Sequence, residues 1–105
     1  MPTTTIAGTD VHVDDEGFMT EYDEWTEEVG RNLAGLIGID DMTDEHWGAI
    51  RFLRQDYSEQ GETATLRRVS KVGGIPTKQL FTLFPKKPAK KMAYIAGLPK
   101  PRGCV

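Results

Sequence analysis

Thiols are scarce in this 105-residue chain, which holds a single cysteine, Cys104. That excludes an intrachain disulfide framework and any cysteine-rich zinc site. Long apolar runs are also missing, and none approaches the roughly 18–20 residues needed to span a bilayer. Met1 to Asp15 has neither a basic n-region nor an apolar h-region, so no signal peptide is expected. A reducing cytoplasm is the expected location. The most informative absence is of negative charge: no Asp or Glu follows Glu62. All sixteen acidic residues precede Thr63, with only Arg31, Arg51 and Arg54 among them, while Thr63 to Val105 carries the other ten of the thirteen basic residues. Mutual attraction of the two halves accounts for part of this asymmetry. A basic half without one carboxylate points further, to a partner that reads charge.

What is present fits one domain, since 105 residues are too few for two independent cores. Nine aromatics and an ordinary charged fraction of 28% argue against wholesale disorder. Thr3–Ile6 and Val11–Val13 flank Gly8 and read as a hairpin, with a short third strand expected at Phe18-Met19 after the Asp14–Gly17 turn. A helix is expected from a Thr20 cap through about Leu36, on an apolar stripe of Tyr22, Trp25, Val29, Leu33 and Leu36. Thr43 opens a second helix with Trp47, Ile50, Leu53 and Tyr57 on one face, ended by Gly61. A third helix is expected over about 64–72 and stopped by Gly73-Gly74, and a fourth opening on Pro76. A last helix covers about 89–96. Trp25, Trp47, Phe81 and Phe84 read as core. The fold class is mainly α with a small β component (α+β). It is a small helical bundle with a helix-turn-helix-like unit, an N-terminal β-hairpin (1–19) and a flexible C-terminal arm. The bundle spans 20–97 and the arm 98–105, all within one domain.

Leu98-Pro99-Lys100-Pro101-Arg102-Gly103-Cys104-Val105 has no helical or strand pattern, and its prolines favour extended backbone. From Gly97 such an arm spans roughly 20 Å at about 3.1 Å per residue. A lone cysteine is usually a small buried hydrophobe. Cys104 sits instead near a chain end among Pro, Lys, Arg and Gly, where burial is rare. A flexible tail offers no general base and no oxyanion hole, so acyl-transfer catalysis is disfavoured. It suits a thiol that takes sulfur at one partner and delivers it at another. His12 and His46 lie far off in sequence and read as structural. No metal or cofactor is expected. Lys86, Lys87, Lys90 and Lys91, with Lys100 and Arg102 on the arm, form a solvated face or a docking patch for partner proteins. Arg67, Arg68, Lys71 and Lys78 make the helix-turn-helix-like unit basic, which leaves nucleic-acid contact as an alternative.

The order of several motifs resembles the DsrC/TusE sulfur-relay family, also called the gamma-subunit family of dissimilatory sulfite reductase. The residues that carry the resemblance are Asp15-Glu16-Gly17-Phe18, Trp25, Thr43-Asp44-Glu45-His46-Trp47, Phe52-Leu53-Arg54 with Tyr57, Leu83-Phe84-Pro85, Pro88-Ala89-Lys90, and Ile95 to Pro101 before Cys104. The resemblance implies a helical bundle with a hairpin and a mobile arm. It makes Cys104 the sulfur-carrying residue and implies sulfur-donor and sulfur-acceptor proteins as partners. Two departures stand out. The second cysteine of DsrC proteins proper, eleven residues before the first, is Ala93 here, so an internal disulfide or trisulfide is not available and a one-cysteine, TusE-like carrier is favoured. The connection near Gly73-Gly74 is shorter than expected for the family, so a loop read by a specific partner, such as the tRNA 2-thiouridine machinery, is expected to be missing. The expected function is a sulfurtransferase-type persulfide carrier acting with partners. A partner of sulfite reductase or a sulfur-oxidation complex, and a helix-turn-helix DNA-binding regulator, are the alternatives.

Overall fold

The computed structural model describes residues 3–101. Strands β1 (Thr3–Ile6) and β2 (Thr9–His12) pair antiparallel, Thr3 opposite His12 and Ile6 opposite Thr9. Ala7 and Gly8 close the hairpin with φ of 52° and 77°. Positive φ at both loop positions gives a turn whose twist matches that of the strands. The expected third strand is reduced to one bridge, Val13 to Met19. Between them the Asp14 carboxylate accepts hydrogen bonds from the backbone N–H groups of Glu16 and Phe18, at 2.9 and 3.0 Å, and so fixes a tight turn.

Five helices follow: α1 (Glu27–Leu36), α2 (Asp44–Gln60), α3 (Leu66–Lys71), α4 (Thr77–Leu83) and α5 (Pro88–Ile95). The first begins six residues later than a Thr20 cap would place it. Tyr22–Glu24 forms a separate 3-10 turn, Trp25 is extended (φ −81°, ψ 140°), and the Thr26 side chain caps α1 by accepting from Val29 N. Thr20 is no cap, since its buried hydroxyl has no partner among the described residues. The helical spacing of Tyr22 and Trp25 reflects instead the contacts both make with α2 and α5. For α2 the expected bounds hold, with Thr43 capping His46 N and Gly61 left-handed at φ 77°. Thr65 caps α3, and Pro76 stands just before α4 rather than inside it.

The larger core cluster gathers Trp47, Ile50, Leu53, Val69, Leu80, Phe84, Met92 and Ile95 from α2 to α5. A smaller one under the hairpin holds Ile6, Val11, Met19, Val29 and Leu33, and Trp25 and Tyr94 pack against both. Phe81 was expected in the core but is 48% exposed. On the short α4, Leu80 and Phe84, four apart, occupy the inward face, and Phe81 turns outward. Leu36 likewise is exposed, because α1 ends there before another element covers it.

Candidate functional site

The root of the C-terminal tail is the most heavily fastened part of the surface. Past α5 the chain turns at Gly97, with φ of 69°. A Cβ there would stand 2.5 Å from Trp25 Cδ1 and 3.0 Å from Met19 Sδ, so only glycine meets both the conformation and the space. The Trp25 indole N–H donates to the Ile95 carbonyl at 2.8 Å. Arg54 donates to the Ala96 carbonyl at 2.8 Å and to the Tyr22 carbonyl at 2.9 Å. Its guanidinium carbon lies 3.9 Å from the Tyr22 ring centroid and 4.3 Å from that of Trp25. Burial lowers the Arg54 pKa from its ordinary value, and the two aromatic faces and two carbonyls compensate the lost hydration.

Beyond Gly97 the chain stays attached. Leu98 is fully buried, Thr63 Oγ1 donates to the Pro99 carbonyl at 2.8 Å, and Pro101 is buried. Lys100 Nζ meets Glu16 Oε2 at 2.9 Å. Residues 98–101, expected as the start of the arm, thus lie against the body through the Leu98 side chain, the Pro99 carbonyl, the Lys100 ammonium and the Pro101 ring. Arg102 and Cys104, expected as docking and sulfur-carrying residues, lie outside the described residues. Ala93, at the position of the family's second cysteine, is fully buried in α5.

The docking lysines gather at the start of α5. Lys86 and Lys87 are exposed, Lys90 and Lys91 half-buried. Lys86 and Lys87 both have positive φ, 57° and 33°, a conformation that L residues adopt only under constraint. Lys87, Lys90 and Lys91 line a groove of about 370 Å³ together with Phe18, Ile37 and Tyr94, with Glu16 at its edge. No ion pair among the described residues engages these lysines, although Lys91 Nζ also donates to the Pro85 carbonyl. Their charge stands at the positive end of the α5 dipole, an unfavourable placement by itself. The Phe18 and Tyr94 rings meet edge to face, 5.7 Å apart at 85°. Burial raises the Tyr94 pKa, so its hydroxyl stays protonated at neutral pH.

The basic residues of α3 and α4 do not form one free set. Arg67, Lys71 and Lys78 are exposed, but Arg68 is engaged bidentately by Asp56, Nε to Oδ2 and Nη2 to Oδ1, both at 2.8 Å. That hydrogen bonding raises the Arg68 pKa. One of the four cations proposed for phosphate thus serves as the partner of a buried carboxylate, Asp56, that is 4% exposed. His46 is structural: its Nδ1 accepts from Thr43 N, leaving Nε2 to donate to the Leu83 carbonyl at 2.9 Å. His12 pairs with Glu24 at 2.8 Å. Sequence reasoning assigned no role to Arg54, Thr63 or Glu16. Arg54 carried a signal, being a cation on the same helix face as Ile50, Leu53 and Tyr57.

The family model described as DsrC like protein matches residues 5–105. The gamma subunit of dissimilatory-type sulfite reductase from Nitratidesulfovibrio vulgaris is 36% identical over 105 residues, covering 100% of both chains. Sulfurtransferase TusE from Escherichia coli K12 is 34% identical, covering 93% of this chain and 95% of the relative. Among solved structures, that of dissimilatory sulfite reductase I superposes with a TM-score of 0.85 at 35% identity, covering 99% of this chain and 100% of the other. Allochromatium vinosum DsrC gives 0.81 at 36%, covering 98% and 97%.

Proposed function

Because the chain belongs to the DsrC family, we propose that it is a sulfur carrier whose Cys104 thiolate accepts one sulfur atom from a donor and passes it to a partner. In the loading step the thiolate attacks the outer sulfur of a donor persulfide. A new S–S bond forms at Cys104, the donor S–S bond breaks, and the donor leaves as a thiolate; the proton of the transferred S–H is retained. Thiol and persulfide exchange places, so no external oxidant or reductant is required. Delivery repeats the exchange in the other direction, with the acceptor as nucleophile.

The observation that carries this reading is the fastening of the Ile95, Ala96 and Pro99 carbonyls by Trp25, Arg54 and Thr63, shortly before the only thiol of the chain. A fixed exit sets where the chain leaves the body at Pro101, and a carrier leaves the catalytic groups to its partners. Those partners belong to a sulfur relay or to a sulfite reductase-like system, as the names of the relatives imply. The full-length likeness to the gamma subunit favours the sulfite-reductase side. Ala93 favours the one-cysteine relay, since two-thiol chemistry within this chain is closed. The basic half, led by Lys86, Lys87, Lys90 and Lys91, docks an acidic partner surface. A DNA-binding role is set aside: Arg68 is committed to Asp56, and the relatives are sulfur proteins.

Intact mass measurement tests the carrier role. After incubation with a persulfide-bearing sulfurtransferase, a species heavier by about 32 Da, one sulfur atom, is expected, removed by thiols and missing in Cys104→Ser. Loading of the Cys104→Ser protein would refute the assignment.

A further inference from the structure

We propose that the groove between the start of α5, Ile37 at the end of α1 and the Asp14–Phe18 turn is the seat for an acidic segment of a partner protein that inserts one bulky apolar side chain. It deepens the sulfur-carrier reading and rests on it, because a carrier must be held by its partners while sulfur moves. At about 370 Å³ the groove is in the range of sites that enclose a small ligand or a large side chain. Its walls are apolar, and the edge-to-face contact of Phe18 with Tyr94 fixes their shape before anything binds. Around them stand Lys87, Lys90 and Lys91, and the one carboxylate at the edge, Glu16, is matched by Lys100. An apolar recess with a cationic rim complements a side-chain anchor flanked by carboxylates. A bilayer calls for a protruding apolar face, and single-stranded nucleic acid for open aromatic faces; here the apolar surface is recessed, and Phe18 is only 3% exposed. Through the Glu16–Lys100 pair the seat adjoins the tail, so a partner held there stands next to the chain that leads to Cys104.

Three synthetic peptides serve as probes against the full-length, isotope-labelled chain: Gly-Asp-Glu-Phe-Glu-Asp-Gly, the same peptide with Ser for Phe, and one with Lys for every acidic residue. The acidic Phe peptide is expected to shift the amide signals of Phe18, Ile37 and Tyr94 and to bind about tenfold tighter than the Ser peptide. Lys87→Glu/Lys90→Glu is expected to weaken it about tenfold or more, and Ile37→Ser to erase the advantage of Phe over Ser. If the double variant does not fold, Lys90→Gln with a roughly threefold loss replaces it. Equal binding of the Phe and Ser peptides, equal binding of the Lys peptide, or shifts confined to other surfaces would overturn the proposal. So would displacement of the peptide by phosphatidylglycerol vesicles or an oligothymidine strand at lower concentration than by unlabelled peptide. Binding needs no thiol and must persist in Cys104→Ser. Lost sulfur loading with intact peptide binding therefore refutes the carrier alone, and intact loading without peptide binding refutes the groove alone.

Discussion

Arg54 is the residue on which the exit of the tail turns. Its guanidinium holds the carbonyls of Ala96 and Tyr22 and is sandwiched by the Tyr22 and Trp25 rings. Arg54→Ala is expected to lower stability by about 2–4 kcal/mol, from charge-assisted bonds that are lost and carbonyls that are left unpaired. Arg54→Lys is expected to recover less than half, because an ammonium has neither the fork nor the flat face. Urea midpoints check both. Gly97→Ala combines a left-handed φ with a methyl at 2.5 Å from Trp25. A loss of about 3 kcal/mol or more, with a shifted tryptophan emission, is expected; a loss under about 1 kcal/mol would show that the turn does not need glycine. Neither residue had a role assigned from sequence. Arg54 stood in the sequence as a cation on the core face of α2, and that position alone does not reveal the carbonyls and rings that it meets.

At the scale of elements, the Thr43 cap and the Gly61 stop of α2 were legible, because both act on the helix's own backbone. The start of α1 was not. A stripe at helical spacing cannot distinguish a continuous helix from a 3-10 turn and an extended Trp25 that approach the same core. The hairpin was legible, and its turn is open to improvement. Ala7 has φ of 52°, and Ala7→Asn, which tolerates that region, is expected to add about 0.5–1 kcal/mol, read as a higher melting temperature. The hairpin is fastened to the 3-10 turn by Glu24, which accepts from the His12 backbone N–H and pairs with its ring, each at 2.8 Å. The backbone bond chiefly, then the side-chain bond, holds the Glu24 pKa below its usual 4.5. A depressed carboxyl pKa stabilises the fold above the unfolded value and loses that effect as pH falls through the folded one. The urea midpoint of the native protein is therefore expected to fall below about pH 4.5 more steeply than that of Glu24→Gln. Parallel curves would show that the pair contributes nothing.

Across the whole molecule the charge asymmetry seen in sequence is only partly spent on the fold. Two ion pairs among the described residues join the acidic half to the basic one, Asp56 with Arg68 and Glu16 with Lys100. The lysines at the start of α5 and those on α3 and α4 enter none. A chain of net charge −3 is accordingly expected to bind a sulfonate resin at pH 7 and low salt through its basic face. Reversing Lys86, Lys87, Lys90 and Lys91 to Glu should abolish retention, while stability should shift by no more than about 1 kcal/mol, as is usual for exposed charges. Equal elution of variant and wild type would show that the field at this face is not continuous. Which half carries which sign was legible from counting. That Arg68 is committed to Asp56 while Lys87, Lys90 and Lys91 surround a groove was not, because the Asp56 pairing crosses from α2 to α3 and Phe18 comes from a segment far away in sequence.

The anchoring of Leu98 to Pro101 sets the local concentration at which the thiol works. Counted from Pro101 rather than Gly97, Cys104 is three residue steps away, and three steps extend at most about 10 Å. Volume grows as the cube of radius, so halving the roughly 20 Å of a tail free from Gly97 raises the effective molarity of the sulfur roughly eightfold, to some tenths of a mole per litre. On the proposed carrier role, a donor docked within that radius would meet the thiol at this concentration, and a partner whose reactive sulfur lies deeper would first have to peel Leu98 and Pro101 from their seats.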